Sequence, residues 1–293
     1  MKGVGQGSLS CPANGICRSM SLIEITKAIF FGIVEGITEW LPISSTGHLI
    51  LLDEFVKLNA SDEFKEMFFV VIQLGAILAV IVSFWKKLFP FSTEQSEAIH
   101  IKKDTLSLWG KILVASVPAA IIGLFFDDPI DALFYNPQTV AFTLILYGIL
   151  FIIIENRQKN REIKITNVNG IDYKTAVLIG VFQMLALIPG TSRSGATIVG
   201  ALLIGVSRVA AAEFTFFLAI PVMLGASFLK IVKLGIPAAG MEVAVLLVGS
   251  VVAFAVSLFA ICFLIGYIKK RNFKAFGWYR IVLGIIVALY FLL

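Results

Sequence analysis

Two glutamates in the first apolar stretch, Glu35 and Glu39, are four residues apart, so a helix would place both carboxylates on one face. An ionised side chain at membrane depth costs about 2.5–3.5 kcal/mol, and a pair on one face therefore requires a cation or an aqueous cavity. We predict that the pair holds a divalent cation, since Mg²⁺ combines one or two carboxylates with phosphate oxygens, as a diphosphate ligand would supply. The alternative is a pair that faces water at the helix end, or that pairs with Lys27.

The polar turn that follows, Ser44–His48, contains three hydroxyls beside a histidine. A hydroxyl next to an imidazole is the minimal pair of nucleophile and general base. Capping of the next helix is the alternative for these hydroxyls, and we expect it of at least one serine. Because capping does not require a histidine, we predict that this turn carries chemistry.

Arg193 lies in a second apolar stretch, between two serines, and is followed by Gly195 and Thr197. A planar guanidinium favours bidentate capture of phosphate oxygens, and backbone N–H groups at the start of the next helix would add a second anion-binding element. The alternative is an arginine that snorkels to the surface. Carboxylates of the first turn would offset the buried cation if the two turns meet.

The composition places these residues in a membrane protein. Residues AVILMFWYC make up 58% of the 293 residues and charged residues 15%, whereas soluble domains have about 45–50% apolar and about 25% charged residues. The mean hydropathy is +0.94. These values exclude a disordered chain, a disulfide scaffold and an ordinary cytosolic enzyme. The net charge of +5 is typical of lysines and arginines in cytoplasmic loops, and no basic patch indicates binding of nucleic acid.

Six stretches have the length and apolarity of transmembrane helices, for which about 20 residues are needed. They are Met67–Trp85, Leu106–Phe126, Thr139–Ile154, Ala211–Ile231, Val243–Ile268 and Tyr279–Leu293. Two further stretches, Lys27–Pro42 and Lys174–Pro189, would reach only about 22 Å as helices, and each ends in a polar turn. We predict that both enter the membrane part of the way, turn and return, as irregular backbone at depth requires burial in protein or a wet cavity.

Loop charges set the expected orientation. Lysines and arginines follow the first, third and fifth spans, whereas the connection 127–138 after the second has none. The basic loops share one side if the first span runs from outside to inside, which places both termini outside. The tryptophans are interpreted as anchors at the membrane interface, and they are Trp40, Trp85, Trp109 and Trp278.

The sequence contains an internal repeat. When the chain is aligned with itself at an offset of 148 residues, Ser44 matches Ser192 and Gly47 matches Gly195 without a gap. Each copy has one hairpin and three spans, an odd number, so the second copy must be inverted. The predicted fold class is an all-α integral membrane protein with six transmembrane helices and two re-entrant helix-turn-helix hairpins in an inverted-topology repeat. Residues 1–19 are predicted to be a disordered extension or tag, and residues 20–293 a single domain with repeats over about 22–155 and 170–293.

The segments Glu35–His48 (EGITEWLPISSTGH) and Pro189–Thr197 (PGTSRSGAT) resemble the two signature motifs of the undecaprenyl-diphosphate phosphatase, or bacitracin-resistance, family. The resemblance covers Met20–Leu293, includes Val71–Gly75, and departs from the family at no motif position. It implies that the terminal phosphate of an isoprenyl diphosphate lipid is hydrolysed with Mg²⁺ or Ca²⁺, in recycling of the carrier lipid for peptidoglycan. The resemblance also implies a bacterial inner membrane and a site that faces outside.

The resemblance implies roles for residues of the two motifs, in addition to the roles predicted above from residue type and spacing. The positions matching Glu35 and Glu39 serve metal or catalysis, those matching Ser45 and His48 serve as nucleophile or base, and that matching Arg193 binds the diphosphate. We assign substrate binding to Ser44, Thr46, Gln73, Ser192, Ser194 and Thr197, although Gln73 has the alternative role of tying two helices together. His48 is expected to activate either Ser45 or a water, so the nucleophile stays open, as does the choice between monomer and homodimer.

The main alternative function is a transporter or flippase of an isoprenyl phosphate lipid, because inverted repeats with sites near the midplane are typical of transporters. A flippase would release no phosphate. Membrane phosphatases of the phosphatidic-acid type are excluded, because their motif needs a second histidine shortly after Ser192-Arg193 and this chain has none there.

Overall fold

Helices account for most of the chain that the computed structural model describes, namely residues 14–92, 100–134, 136–158, 162–234 and 240–292. The α-helices are α1 (Asn14–Thr38), α2 (Ser45–Phe55), α3 (Asp62–Ser83), α4 (Trp85–Leu88), α5 (Lys103–Phe134), α6 (Pro137–Gln158), α7 (Tyr173–Met184), α8 (Arg193–Ile204), α9 (Arg208–Leu234), α10 (Gly240–Lys270) and α11 (Lys274–Leu292). Short 3-10 turns cover Val168–Gly170 and Leu185–Leu187. A two-residue antiparallel ladder joins β1 (Phe91–Ser92) to β2 (His100–Ile101) between α4 and α5.

Six of these helices are long and apolar enough to cross a membrane, which confirms the predicted all-α, multi-pass architecture. The spans are Asp62–Ser83, Lys103–Phe126, Pro137–Gln158, Arg208–Lys233, Gly240–Lys270 and Lys274–Phe291. Large apolar side chains on their outer faces are exposed, as with Phe125 at 74% and Phe259 at 78%. An apolar exterior of this kind needs lipid as its solvent, because exposed patches on that scale are rare on soluble monomers.

α1 begins at Asn14, so the helix extends six residues into the segment predicted to be a disordered extension. No proline interrupts the chain between Asn14 and Lys27, and helical hydrogen bonding therefore continues back beyond Met20. Residues 1–13 lie outside the described residues, and the prediction stays untested there.

The two helices that lead into the polar turns pack on different spans. α1 packs along α10, and α7 packs along α5, while α6 and α11 pair with each other. Close approach at α10 depends on glycine, because a Cβ at Gly75 of α3 would lie 2.1 Å from the carbonyl oxygen of Ser250. Small residues allow such contacts between helices in a membrane.

Replacing Gly75 with alanine is expected to lower the stability of the purified protein by about 1–3 kcal/mol, because α3 and α10 must separate to admit the methyl group. Thermal unfolding in detergent measures the change. Gly266→Ala is the matched control on α10, since a Cβ there meets nothing within 4 Å. Equal midpoints for the two variants would contradict the packing described here.

The connections that carry the basic residues meet at one end of the bundle. The Arg208 guanidinium at the start of α9 donates to both carboxylate oxygens of Glu155 near the end of α6, with a shortest distance of 2.6 Å. The same carboxylate accepts from the backbone N–H of Phe273 before α11, at 3.0 Å. Lys87, after the first span, binds Glu213 of α9 at 2.8 Å. These contacts bring the loops after the first, third and fifth spans together.

Candidate active site

The first polar turn follows α1 and is held in an unusual backbone conformation. α1 ends at Thr38, and Ser44 caps α2 by accepting a hydrogen bond on its Oγ from the backbone N–H of Gly47 at 3.3 Å. The φ angle of Ser44 is 74°, a left-handed value that costs about 1–3 kcal/mol in a non-glycine residue and concentrates at functional sites. The capping role expected of one serine is therefore confirmed for Ser44.

The second polar turn repeats this local structure. Ser192 caps α8 by accepting from the backbone N–H of Gly195 at 3.2 Å, and its φ angle is 70°. Within the part of the chain that the structure describes, Ser44 and Ser192 are the two non-glycine residues with positive φ. They are also the two serines that the offset of 148 residues aligns. Gly190 provides a further positive φ of 83°, where a Cβ would lie 2.2 Å from Oγ1 of Thr143.

The two turns meet inside the bundle, as their opposite charges predicted. Nη2 of Arg193 lies 2.8 Å from Oε1 of Glu39, with 11% and 6% of the two side chains exposed. Nη1 of Arg193 donates to the carbonyl oxygen of Thr215 on α9 at 2.8 Å. The Ser194 hydroxyl lies 3.3 Å from the carbonyl oxygens of Glu39 and Leu41. The acidic and the cationic side chains therefore form one buried ion pair across the turns.

Ser45 extends this ion pair into a chain of three groups. Its hydroxyl donates to Oε2 of Glu39 at 2.6 Å, while Oε1 of the same carboxylate binds Arg193. A nucleophile within hydrogen-bond reach of a base, which a third group orients, is the arrangement of an activated hydroxyl. The carboxylate of Glu39 is thus placed to accept the Ser45 proton.

His48 does not bind Ser45, one of the two groups that the sequence predicted it to activate, and its ring nitrogens have other partners. Its Nδ1 lies 2.7 Å from the carbonyl oxygen of Ser44, which only accepts, so Nδ1 carries the proton. In the neutral ring, Nε2 then accepts from the hydroxyl of Tyr279, also at 2.7 Å. The two rings are stacked at an interplanar angle of 3°. Both nitrogens are occupied because α2 turns the imidazole toward α11, away from the Ser45 hydroxyl.

Trp40 lies inside the protein, so its predicted role as an interfacial anchor is wrong. The side chain is 0% exposed and packs edge-on against Phe216 of α9. The Arg193 guanidinium lies 5.8 Å from the centre of its ring, within the range of a cation–π contact. Trp40 follows Glu39 directly, and the meeting of the two turns encloses it.

Arg280 of α11 is a site residue that the sequence analysis missed. The residue is 0% exposed, and Nη1 donates to the carbonyl of Pro42 in the first turn at 3.2 Å. Nη2 donates to Gly190 and Thr191 in the second turn, at 2.8 and 3.0 Å. The guanidinium therefore ties the backbones of both turns together. An arginine within a predicted span was the available signal, because ionised groups at membrane depth are functional by default.

Arg280→Met is expected to lower the free energy of unfolding by about 3 kcal/mol or more, because carbonyls of both turns lose a buried donor. The midpoint of thermal unfolding in detergent measures this loss. Arg271→Met is the control, since Arg271 is exposed in the connection between α10 and α11. If both variants unfold at the wild-type temperature, Arg280 does not hold the turns.

Glu35 lies beside the ion pair without a hydrogen bond of its own. The residue is 0% exposed, and both carboxylate oxygens are buried and unpartnered. Its charge interacts unfavourably with Glu39 and favourably with Arg193. Lys27 instead pairs with Glu24 at 2.7 Å, so the alternative of a Glu35–Lys27 pair is wrong. A buried polar group without a partner is costly and calls for a missing ligand or water.

The remaining predicted residues surround this centre to different degrees. Thr197 accepts a hydrogen bond from Thr215 at 2.8 Å, and so supports the segment that holds Arg193. Thr46 is half-buried next to Ser45. Gln73 is half-buried on α3, and in the described residues its side chain has no hydrogen bond to the site. The substrate-binding roles of Ser44, Thr46, Gln73, Ser192, Ser194 and Thr197 stay predictions.

The arrangement suits transfer of a phosphoryl group. Two of the five N–H donors of Arg193 are used by Glu39 and Thr215, and Nε has no partner. The free donors are available to phosphate oxygens. α2 and α8 both begin at this centre, and the positive ends of their dipoles favour an anion there.

The fold and the site together define a multi-pass membrane protein that encloses a hydroxyl, a carboxylate and a guanidinium within its helical bundle. A family model described as bacitracin resistance protein BacA matches residues 28–286. The chain belongs to this family, as the motif resemblance indicated.

Relatives with the name undecaprenyl-diphosphatase match almost the whole chain. The protein from Acetivibrio thermocellus is 65% identical over 271 residues, which cover 92% of this chain and 99% of that protein. One from Enterococcus faecalis is 64% identical and covers 92% of this chain and 98% of its own length. A third, from Desulfitobacterium hafniense, is 62% identical over 93% of this chain and 98% of that protein.

Proposed function

We propose that this chain hydrolyses undecaprenyl diphosphate to undecaprenyl phosphate and inorganic phosphate, as the names of its relatives indicate for those proteins. The observation that carries the proposal is the buried series Ser45–Glu39–Arg193, which joins a hydroxyl, a base and a phosphate-binding cation. The reaction recycles the carrier lipid for peptidoglycan synthesis and accounts for bacitracin resistance, the property after which the family is named.

In the first step, the Ser45 hydroxyl attacks the terminal phosphorus in line with the anhydride bond. Its proton passes to Oε2 of Glu39, with which it already shares a hydrogen bond of 2.6 Å. The electron pair of the broken P–O bond leaves with undecaprenyl phosphate. Arg193 binds the equatorial phosphate oxygens and stabilises the charge that develops on them, the largest contribution expected in this chemistry.

In the second step, water releases the phosphate from Ser45. Glu39 gives the proton that it took from Ser45 to the departing lipid phosphate and then accepts a proton from the attacking water. As the bond between phosphorus and Oγ of Ser45 breaks, Glu39 passes this second proton to Oγ, which restores both the serine hydroxyl and the carboxylate. His48 positions the turn through Ser44 and Tyr279 rather than acting on the Ser45 hydroxyl. A direct attack by water on the diphosphate is the alternative, and the activity of Ser45→Ala separates the two.

Glu35 fits the role of a ligand for Mg²⁺ or Ca²⁺, because its two buried oxygens have no other partner. The described residues contain no group of three or more His, Cys, Asp or Glu that would form a closed metal site. Mg²⁺ does not require a closed site of that kind, because it binds one or two carboxylates and completes its shell with water and substrate phosphates. Glu35 would hold the cation, which when bound neutralises the diphosphate and acts as a Lewis acid. The oxygens of Glu39, the second predicted ligand, are bound to Ser45 and Arg193.

Glu35→Gln is expected to raise the Mg²⁺ concentration for half-maximal activity at least about tenfold, because the amide is a weaker ligand than the carboxylate. A titration of phosphate release against free Mg²⁺ measures the change. Glu24→Gln provides the control, since Glu24 lies on the same helix farther from the turn and pairs with Lys27. An unchanged titration for Glu35→Gln would show that the carboxylate does not bind the metal.

The two turn-bearing segments are proposed to be re-entrant hairpins related by an inverted repeat, with the first entering from outside. Burial of Ser44 at 0% and Thr191 at 1% supports this arrangement, because irregular backbone at depth must be enclosed by protein. The shared positive φ angles at an offset of 148 residues support the repeat. The basic loops meet at one end of the bundle, and basic loops face the cytoplasm. This supports a site in the bacterial inner membrane that opens on the side away from the cytoplasm.

Release of inorganic phosphate from undecaprenyl diphosphate by the purified protein, with and without chelator, tests the proposed function. We expect release that the chelator abolishes and that added Mg²⁺ restores. A flippase would move the lipid but release no phosphate, and that result would overturn the proposal. Farnesyl diphosphate in a parallel assay tests the preference for chain length, and the mass of the protein in detergent distinguishes a monomer from a homodimer.

A further inference from the structure

A polar cavity lies where the basic connections meet, and none of the site residues described above lines it. Its volume is about 330 Å³, which is at the lower end of the range for ligand pockets. The walls come from α4, the start of α5, the segment Asn167–Asn169 and Glu213 of α9. Lys86, Lys87 and Lys102 are the cations of the lining.

The walls of this cavity are fixed by contacts among themselves. Lys87 lies 2.8 Å from both carboxylate oxygens of Glu213. The indole N–H of Trp109 donates to the carbonyl of Leu88 at 2.9 Å, which joins α4 to α5. Lys111 of α5 donates to the carbonyl of Asn169 at 3.2 Å. The cavity is therefore formed in advance, which lowers the cost of ordering it around a ligand.

The charges in the lining favour an anion. Lys87 is neutralised by Glu213, whereas Lys86 and Lys102 have no carboxylate partner within 4 Å in the described parts of the chain. Asp104 is the other carboxylate of the lining and is exposed. Oδ1 of Asn167 accepts from the backbone N–H of Gly170 at 2.8 Å, and its amide nitrogen is therefore left to donate to a ligand.

An exposed aromatic surface continues from the cavity along the chain. Trp85, Phe89 and Phe91 are 51%, 37% and 46% exposed. Trp85 stacks on Phe89 with 4.6 Å between ring centres, and Phe89 contacts Phe91 at 5.5 Å. Aromatic rings beside lysines are typical of the membrane–water interface. A ligand with both a phosphate and acyl chains would contact the cavity and this surface together, whereas free phosphate would use the cavity alone.

We propose that this cavity binds the phosphate of an anionic phospholipid headgroup, with Lys86 and Lys102 as its donors and the acyl chains against Trp85, Phe89 and Phe91. Lysines that only set the orientation of a membrane protein need neither a preformed cavity nor an adjacent aromatic surface. Basic pockets between transmembrane helices bind anionic headgroups in this way. The bound lipid stabilises the contacts between α4, α5 and α9.

Thermal unfolding of the full chain in detergent, with increasing phosphatidylglycerol, phosphatidylcholine or inorganic phosphate, tests this proposal. We expect phosphatidylglycerol to raise the unfolding midpoint, and phosphatidylcholine and phosphate to have little effect. In the variant K86Q/K102Q the phosphatidylglycerol concentration for the half-maximal shift should rise about tenfold or more. Lys103→Gln is the matched control, because Lys103 is exposed on the same segment and does not line the cavity.

Three results would overturn the lipid site. The first is an equal response to phosphatidylglycerol and phosphatidylcholine, and the second is the same response in K86Q/K102Q as in wild type. The third is an equal shift with inorganic phosphate alone, which would make the cavity a site for the free ion. Phosphate release by K86Q/K102Q at the wild-type rate in detergent shows that the variant is folded, since neither lysine belongs to the active site.

Discussion

Replacing Arg193 with lysine is expected to lower kcat/KM by about 10²–10³-fold, and replacing it with alanine by at least as much. The guanidinium binds Glu39 and Thr215 at once, each at 2.8 Å, and still offers donors to phosphate. A lysine ammonium keeps the charge but cannot span these partners, because it lacks the planar fork. Removal of one preorganised hydrogen-bond donor to a developing oxyanion lowers the rate of an enzyme by about 10²–10³-fold. The rate of phosphate release in detergent measures it.

Arg271→Lys is the control for the loss of a guanidinium, since Arg271 is exposed in a connection away from the turns. We expect this variant to retain wild-type activity. Near-normal turnover by Arg193→Lys would contradict the role of a bidentate guanidinium, and near-normal turnover by Arg193→Ala would remove the residue from the mechanism.

Replacing Ser45 with alanine is expected to lower kcat by roughly 10⁴-fold or more, which is the size of the loss when an enzyme is deprived of its nucleophile. The methyl group is smaller than the hydroxymethyl group and leaves Glu39 paired with Arg193, so the fold should be retained. Activity of the purified variant and its midpoint of thermal unfolding are measured together. Ser116→Ala is the control, because the Ser116 hydroxyl bonds only the carbonyl of Ile112 on α5.

A loss of only about tenfold in Ser45→Ala would contradict covalent catalysis by this hydroxyl. Attack by water, with Glu39 as its base, would then account for the reaction. An intermediate with phosphate on Ser45, trapped by acid quench and located by mass spectrometry, provides the positive result that the serine mechanism requires.

The membrane architecture and the charged groups of the two turns followed from the sequence, because the bilayer limits what a chain can place at depth. Length and apolarity alone identified all six spans. Glu39 and Arg193 stood out because an ionised group in an apolar stretch needs a partner, and the two broken segments carry charges of opposite sign. The 2.8 Å contact between them confirms that reasoning.

The partners within the site did not follow from the sequence, because they depend on the direction in which each helix leaves its turn. Proximity in sequence suggested Ser45 with His48, yet α2 directs the imidazole to Tyr279, which is 231 residues away. Trp40 was interpreted as an interfacial anchor because tryptophan is enriched at membrane interfaces. It is buried because the two turns converge around it. Arg280 was overlooked because its partners are backbone carbonyls, which no side-chain motif records.

A double-mutant cycle on Glu39 and Arg193 tests most directly whether groups from the two turns act as one catalytic unit. The values of kcat/KM are measured for Glu39→Gln, Arg193→Gln and the double variant. Residues that act as a unit give non-additive losses, so the double variant should be no more impaired than the worse single variant. A loss equal to the product of the two single losses would show that the carboxylate and the guanidinium work independently, and would contradict the site described here.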